Sequence, residues 1–195
     1  PHQRSFFYSH EDSSPYFESI IQGKQLSYNN IVDINSAFEC VSEFNKPTCV
    51  IVKHNNPCGV STHSKINLAF LNAKNADPIS AFGGIVALNR PVNHVLANNL
   101  ISNFFEVILA PSFTKKAIII LNKKNKLILV NTKNFKKDNK LDIKSVSNGY
   151  LIQEKNNILI QKKDLKCVSN KISNSVVVND LIFALKVCKH VKSNA

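Results

Sequence analysis

The chain has 195 residues, of which 44% are hydrophobic and 19% are charged, and its formal net charge is +12. This balance is sufficient for a core of ordinary size and excludes a wholly disordered chain. No apolar stretch is long enough to span a membrane and the first residues do not resemble a signal peptide, so we expect a cytoplasmic protein.

The first predicted elements are a helix and a strand. Residues 26–44 carry five apolar side chains at helical spacing, namely Ile31, Ile34, Phe38, Val41 and Phe44. Asn30 or Asp33 is suited to cap the start of this helix, and Pro47 ends it. The run TCVIV, residues 48–52, is rich in β-branched residues, which predicts a strand buried on both faces of a sheet.

Helices and strands then alternate along the chain. Helices are predicted over residues 66–76, 94–105 and 115–125, and strands over residues 83–89, 106–111 and 126–131. This alternation predicts an α/β fold built in layers around a mainly parallel sheet.

The remaining residues are more basic and less regular. The Lys/Asn-rich segment 131–144 predicts a long surface loop, GYLIQE (149–154) a strand, and DLIFALKVCKHV (180–191) an amphipathic helix. We therefore predict a domain core over residues 1–130, followed by a basic loop, strand and helix over residues 131–195. An initial proline, the lack of methionine and the lack of a helix-stop signal in HVKSNA indicate a chain truncated at both ends.

The charge lies almost entirely in the later part of the chain. Residues 1–113 hold seven Lys and Arg against eight Asp and Glu, whereas residues 114–195 hold eighteen against five. A nucleic-acid-binding module is one interpretation. However, only two residues are arginine and few aromatic residues lie among the lysines, so a solvated surface is preferred and nucleic acid is disfavoured as a partner.

The most informative stretch is VKHNNPCGV, residues 52–60. Ligands of open α/β sheets bind outside the carboxyl ends of the strands. Lys53 and His54 can converge there only if the strand stops, and we expect a turn over residues 55–59, with Gly59 adopting positive φ. A neutral imidazole at such a place suits a general base. The five cysteines are an odd number and widely spaced, which favours reduced thiols in a cytosolic protein over a disulfide framework. They contain no CxxC pair, which disfavours a cysteine zinc site.

On pattern alone the site remains open. A lysine–histidine pair at a strand end is more often a solvated edge than a catalytic pair, and Gly83 and Gly84 could simply ease entry into a strand. Glu106 opens the next predicted strand. Spacing does not decide between these interpretations.

Eight stretches together carry a resemblance to a known family. They are PHQRSFFY, GKQLSYNNIVD, AFECVSEF, CVIVKHNNPCGV, DPISAFGGIVALNR, FFEVILAPSF, NGYLIQE and LKVCKHVKSNA. In order and spacing they resemble the transformylase domain of the bifunctional purine-biosynthesis enzymes, in which an AICAR formyltransferase is joined to an IMP cyclohydrolase. VKHNNPCG together with SAFGGIVALNR is the most specific part, and residues 114–175 match least.

The resemblance implies both a fold and an activity. The fold would be a three-layer α/β/α subdomain like that of cytidine deaminases. The activity would be formyl transfer from the co-substrate 10-formyltetrahydrofolate to the 5-amino group of AICAR, in the de novo synthesis of IMP. AICAR nucleotide and reduced folate would be the ligands, and the family forms homodimers. No catalytic metal is expected, because the HxE and PCxxC elements of the deaminase site are absent.

The resemblance also assigns roles to five residues. His54 matches the proton acceptor, Lys53 the group that stabilises the transition state, and Asn194 the active-site asparagine. Gly83 and Glu106 match positions that contact the AICAR nucleotide. The chain would cover about the first half of the transformylase, without most of the folate pocket. A non-catalytic truncated remnant and a nucleic-acid-binding module therefore stand as alternatives to an active formyltransferase.

Overall fold

The computed structural model describes residues 3–8, 16–137, 141–170 and 174–192. Contacts divide the chain into two units, the first reaching to Phe135 and the second beginning at Lys136. The first unit contains a six-stranded sheet and the second a two-stranded sheet. Among the described residues, no helix is both long and apolar enough to cross a membrane.

One mixed sheet organises the first unit. Its strands are β1 (Ile20–Gln22), β2 (Thr48–Lys53), β3 (Asn56–Thr62), β4 (Ile85–Leu88), β5 (Val107–Ala110) and β6 (Ile128–Asn131). They lie side by side in the order β1-β6-β5-β4-β2-β3. β3, β4, β5 and β6 run in one direction, and β1 and β2 run against them. The predicted α/β class with a mainly parallel sheet is confirmed.

The helices of the first unit follow the predicted pattern. A 3-10 helix spans Tyr16–Ser19, and the α-helices are α1 (Tyr28–Val41), α2 (Ile66–Ala76), α3 (Pro78–Ala81), α4 (His94–Ile101) and α5 (Lys115–Leu121). The predicted cap of the first helix is wrong. Ser27 is the N-cap of α1, because its hydroxyl accepts the Asn30 N–H while the Asn30 side chain accepts the Ser27 N–H.

The strands are buried on both faces because their side chains alternate between two apolar clusters. One cluster packs α2, α4 and α5 against one face of the sheet and includes Phe70 and Ile108. The other packs α1 against the opposite face and includes Ile34, Val107 and Leu109. The predicted three-layer α/β/α arrangement is therefore confirmed, and the continuous apolar runs in the sequence are its signature.

The second unit is smaller. Its elements are β7 (Leu141–Val146), β8 (Gly149–Glu154), a 3-10 helix (Lys162–Asp164) and α6 (Ser175–Cys188). β7 and β8 form an antiparallel hairpin, which confirms the strand at 149–154 but corrects the loop predicted over 131–144, since β7 begins at Leu141. The helix predicted over 180–191 is α6. It begins earlier, at Ser175, because the Asn174 side chain accepts the Val177 N–H as the N-cap, and it ends at Cys188.

Candidate functional site

Lys53 and His54 lie at the tip of the β2–β3 hairpin. Lys53 pairs with Asn56 across the hairpin, so His54 and Asn55 form a two-residue turn. Both have positive φ, 53° and 62°, as in the mirror-image turns that suit the twist of antiparallel strands. The turn predicted over residues 55–59 is therefore wrong, because residues 56–62 form β3 and Gly59 is not among the residues with positive φ.

Helix α1 contacts this turn. The Asn55 N–H donates to Asp33 Oδ1 at 2.7 Å, and the Ser36 hydroxyl donates to Asn55 Oδ1 at 3.2 Å. Within the turn, Asn56 Nδ2 donates to the His54 carbonyl at 3.3 Å. The backbone of the turn is thus held on several sides, while His54 is exposed.

The direction of β2 brings Lys53 towards Glu106. Val52 pairs with Ile85 and Ile85 pairs with Val107, so the carboxyl end of β2 adjoins the amino ends of β4 and β5. Two strand spacings separate the Lys53 and Glu106 backbones, about 10 Å. The sequence predicts a site at the carboxyl ends of parallel strands. The structure differs, because here the carboxyl end of β2 lies beside the amino ends of β4 and β5.

The Lys53 side chain contacts the peptide group that joins Phe82 to Gly83. Lys53 Nζ donates to the Phe82 carbonyl oxygen at 2.8 Å. Gly83 follows with φ 72°, a conformation that favours glycine, and its N–H donates to the Phe104 carbonyl at 2.9 Å. Glycine therefore allows the chain to turn into β4 directly beside the lysine ammonium group.

An exposed aromatic pair lies at the same edge. Phe82 and Phe104 are 63% and 50% exposed, and their ring centroids are 5.0 Å apart. The sequence pattern does not single out this pair, because a phenylalanine beside a strand is usually a core residue. Their exposure offers an apolar surface on which a planar ring could stack.

Glu106 is held by polar groups from the first turn of α1 and from the segment before it. Asn30 Nδ2 donates to Glu106 Oε2 at 3.0 Å, and Lys24 Nζ lies 3.7 Å from the same oxygen. Asn30 is only 6% exposed, and its amide is oriented by the Ser27 N–H, which donates to Oδ1 at 3.2 Å. Both contacts to Glu106 are made through Oε2, and its side chain is 37% exposed. A carboxylate oriented in this way can accept hydrogen bonds from ligand hydroxyls.

Cys58 lies on β3, next to the hairpin turn, and its surroundings keep it protonated. Burial raises the pKa of the Cys58 thiol, and the Asp77 carboxylate raises it further, while a backbone hydrogen bond and Lys53 oppose them in part. Its Sγ donates to the Ile51 carbonyl at 3.5 Å. A protonated, half-buried thiol is a poor nucleophile, so we assign Cys58 to packing.

The structure brings Lys53, His54, Gly83 and Glu106 to one edge of the sheet. Asn194 lies outside the described residues, so its position relative to the other four stays a prediction. Within the described ranges, no group of three or more His, Cys, Asp or Glu side chains could hold a metal ion.

The fold and this edge define a three-layer α/β domain with lysine, histidine and carboxylate groups at one end of its sheet. The family model described as AICARFT/IMPCHase bienzyme matches residues 1–195, and the chain belongs to this family. The predicted family is therefore confirmed.

Relatives in the family are similar over the whole chain. The bifunctional purine biosynthesis protein PurH of Aquifex aeolicus is 44% identical over 198 residues, which cover 100% of this chain and 38% of that protein. The proteins of the same name from Caldicellulosiruptor bescii and Buchnera aphidicola are 44% and 45% identical, and this chain covers 39% and 38% of them. The chain thus spans well under half the length of these relatives.

Proposed function

We propose that this chain supplies the Lys53–His54 edge of an AICAR formyltransferase that uses 10-formyltetrahydrofolate. The observation that carries the proposal is the placement of lysine, histidine and an oriented carboxylate at one sheet edge, in a chain of this family. The two ligands, a homodimer, a cytoplasmic location and a reaction without a metal belong to the same proposal and rest on the family resemblance.

The proposed reaction begins with a weak nucleophile. The lone pair of the AICAR 5-amino group is shared with the imidazole ring and the carboxamide. Its nitrogen attacks the formyl carbon, and a tetrahedral oxyanion forms. His54 accepts the amine proton and returns it to the folate nitrogen as the bond between that nitrogen and the formyl carbon breaks. The Lys53 ammonium stabilises the oxyanion.

The neighbouring groups are suited to binding. Glu106 would accept hydrogen bonds from ribose hydroxyls, and Gly83 would allow the nucleotide to approach the backbone closely. Phe82 offers a surface for a planar ring. Asn194 would orient the formyl oxygen or the imidazole. In this scheme Lys53 and His54 determine kcat, whereas Glu106 determines the KM for AICAR.

The direct test is AICAR-dependent release of tetrahydrofolate, followed by absorbance. It should be run on the chain alone and on the chain mixed with the parts of the Aquifex aeolicus relative that this chain does not match. We expect His54→Ala to lower kcat by about 10²–10⁴-fold, the usual contribution of a general base. His94→Ala is the matched control, because His94 is also exposed but begins α4, beyond the opposite end of β4.

The outcomes separate the interpretations. Activity that survives His54→Ala would overturn the assigned proton acceptor. If neither the chain nor the mixture is active, the alternative of a non-catalytic remnant is favoured.

Glu106→Gln removes the charge of the carboxylate, and we expect it to raise the KM for AICAR more than it lowers kcat.

A further inference from the structure

We infer that α1 is a positioning element for this site, and that Asp33 is the positioning residue for the Lys53–His54 pair. The kinetic part of this inference rests on the proposed function. Its structural part concerns the conformation of the His54–Asn55 turn and does not depend on that function.

The turn requires support because of its backbone conformation. His54 and Asn55 are consecutive residues with a Cβ, and both adopt the left-handed region that such residues disfavour. Asparagine visits this region more readily, because its short polar side chain can hydrogen-bond locally. The φ of His54 sets where its imidazole lies relative to Lys53, so relaxation of the turn would move the proposed proton acceptor.

Asp33 supplies the support through one short hydrogen bond. The ladder pairs Lys53 with Asn56, and the Asn55 N–H instead donates to Asp33 Oδ1 at 2.7 Å. A carboxylate acceptor makes this bond stronger than a neutral one would be. Ser36, one turn further along α1, donates to the Asn55 side chain.

The same helix also holds the other side of the site. Asn30, three residues before Asp33, donates to Glu106 Oε2. Ile34 and Ala37 are fully buried under the sheet and fix α1 in place. One rigid helix therefore sets the separation between the turn and the carboxylate, so loss of the Asp33 contact should displace His54 and leave Glu106 in place.

The experiment compares Asp33→Ala with Asp33→Asn, which keeps an oxygen acceptor at Oδ1. Thr114→Ala is the matched control, because Thr114 accepts the Ala117 N–H at the start of α5 and its loss removes a similar bond elsewhere. We expect Asp33→Ala to lower kcat by about 10–100-fold, as small misplacements of reacting groups do. The KM for AICAR should change little, Asp33→Asn should recover most of kcat, and Thr114→Ala should lower only the Tm.

A second readout is the hydrogen exchange of the Asn55 amide by NMR, which requires no activity. Exchange should become faster in Asp33→Ala, be restored in Asp33→Asn and be unchanged in Thr114→Ala. If Asn55 stays protected in Asp33→Ala, or if protection is lost while kcat is unchanged, the inference is wrong. If the wild-type chain transfers no formyl group either alone or in the mixture, but Asn55 protection follows Asp33, the proposed function fails and the support of the turn stands.

Discussion

The two units differ sharply in burial although both contain regular secondary structure. Every residue of β5 is buried, whereas every residue of β8 is exposed, including Tyr150, Leu151 and Ile152 at 60% or more. No described residue of the second unit is buried. Apolar side chains in a strand are therefore not sufficient for a core, because burial also requires other elements packed against the faces of the sheet.

The hairpin of the second unit shows what remains without such layers. β7 and β8 are joined by backbone hydrogen bonds through a turn in which Asn148 has φ 66°. Two-stranded hairpins are marginal in water unless a further strand or a helix covers them. We therefore expect the stability of the first unit to come from its core, and that of the hairpin to come mainly from local pairing.

The largest expected effect compares one leucine from each unit. Leu109 is 1% exposed and Leu151 is 60% exposed. Leu109→Ala should lower the free energy of unfolding by about 2–5 kcal/mol, the range for buried leucines. Leu151→Ala should change it by less than about 0.5 kcal/mol. Urea unfolding followed by far-UV circular dichroism measures both, and equal losses would break the contrast between the units.

The second comparison uses one glycine from each unit. A Cβ on Gly59 would collide with the backbone carbonyl of Ala73 in α2, whereas a Cβ on Gly149 would have no neighbour within 4 Å. Gly59→Ala should therefore cost about 1–3 kcal/mol through overpacking. Gly149→Ala should be nearly neutral in thermal unfolding. A neutral Gly59→Ala would show that α2 can move away from β3 at little cost.

The layered fold could be predicted because burial on both faces leaves continuous apolar runs in the sequence. The direction of β2 could not be predicted, because a continuous apolar strand can pair with either a parallel or an antiparallel neighbour. The turn was misplaced because Pro57 and Gly59 are strong turn signals. In the structure Pro57 lies beside a bulge on an edge strand, where proline is tolerated, and Gly59 serves packing.

The site residues were identified through the family resemblance rather than through spacing. The groups that orient them were missed because their contacts join distant parts of the chain. Asn30 and Glu106 are 76 residues apart, and Asp33 and Asn55 are 22 residues apart. A capping pattern explains Asn30 locally, so nothing in the sequence indicated its second contact.

The third prediction concerns alkaline pH and the core of the first unit. Burial raises the pKa of the Cys49 thiol from 9.0, and the nearby Cys58 adds to the effect. Below pH 9 both folded and unfolded states hold the proton. Above it only the unfolded state loses the proton, so stability should fall by up to about 1.4 kcal/mol per pH unit for this group. Cys49→Ala should reduce this dependence of stability on pH. Val50→Ala should lower stability by the same amount at every pH, and urea unfolding between pH 8 and 10.5 measures both.

The smallest expected effect is a difference between the five thiols in their rates of reaction with iodoacetamide under native conditions. Cys167 and Cys188 are exposed, and Cys40 and Cys49 are buried. We expect the exposed pair to react first and the buried pair only when the first unit opens, because alkylation requires an accessible thiolate.

Cys58 should react at an intermediate rate, since burial and the Asp77 carboxylate both raise its pKa. Asp77→Asn removes the carboxylate and should accelerate Cys58 alone, which peptide mapping by mass spectrometry would detect. If Cys58 reacted as fast as Cys188 in the wild-type chain, the edge beside Lys53 would be more open than its burial indicates, and the boundary between the protected core and the exposed regions would lie deeper in the first unit.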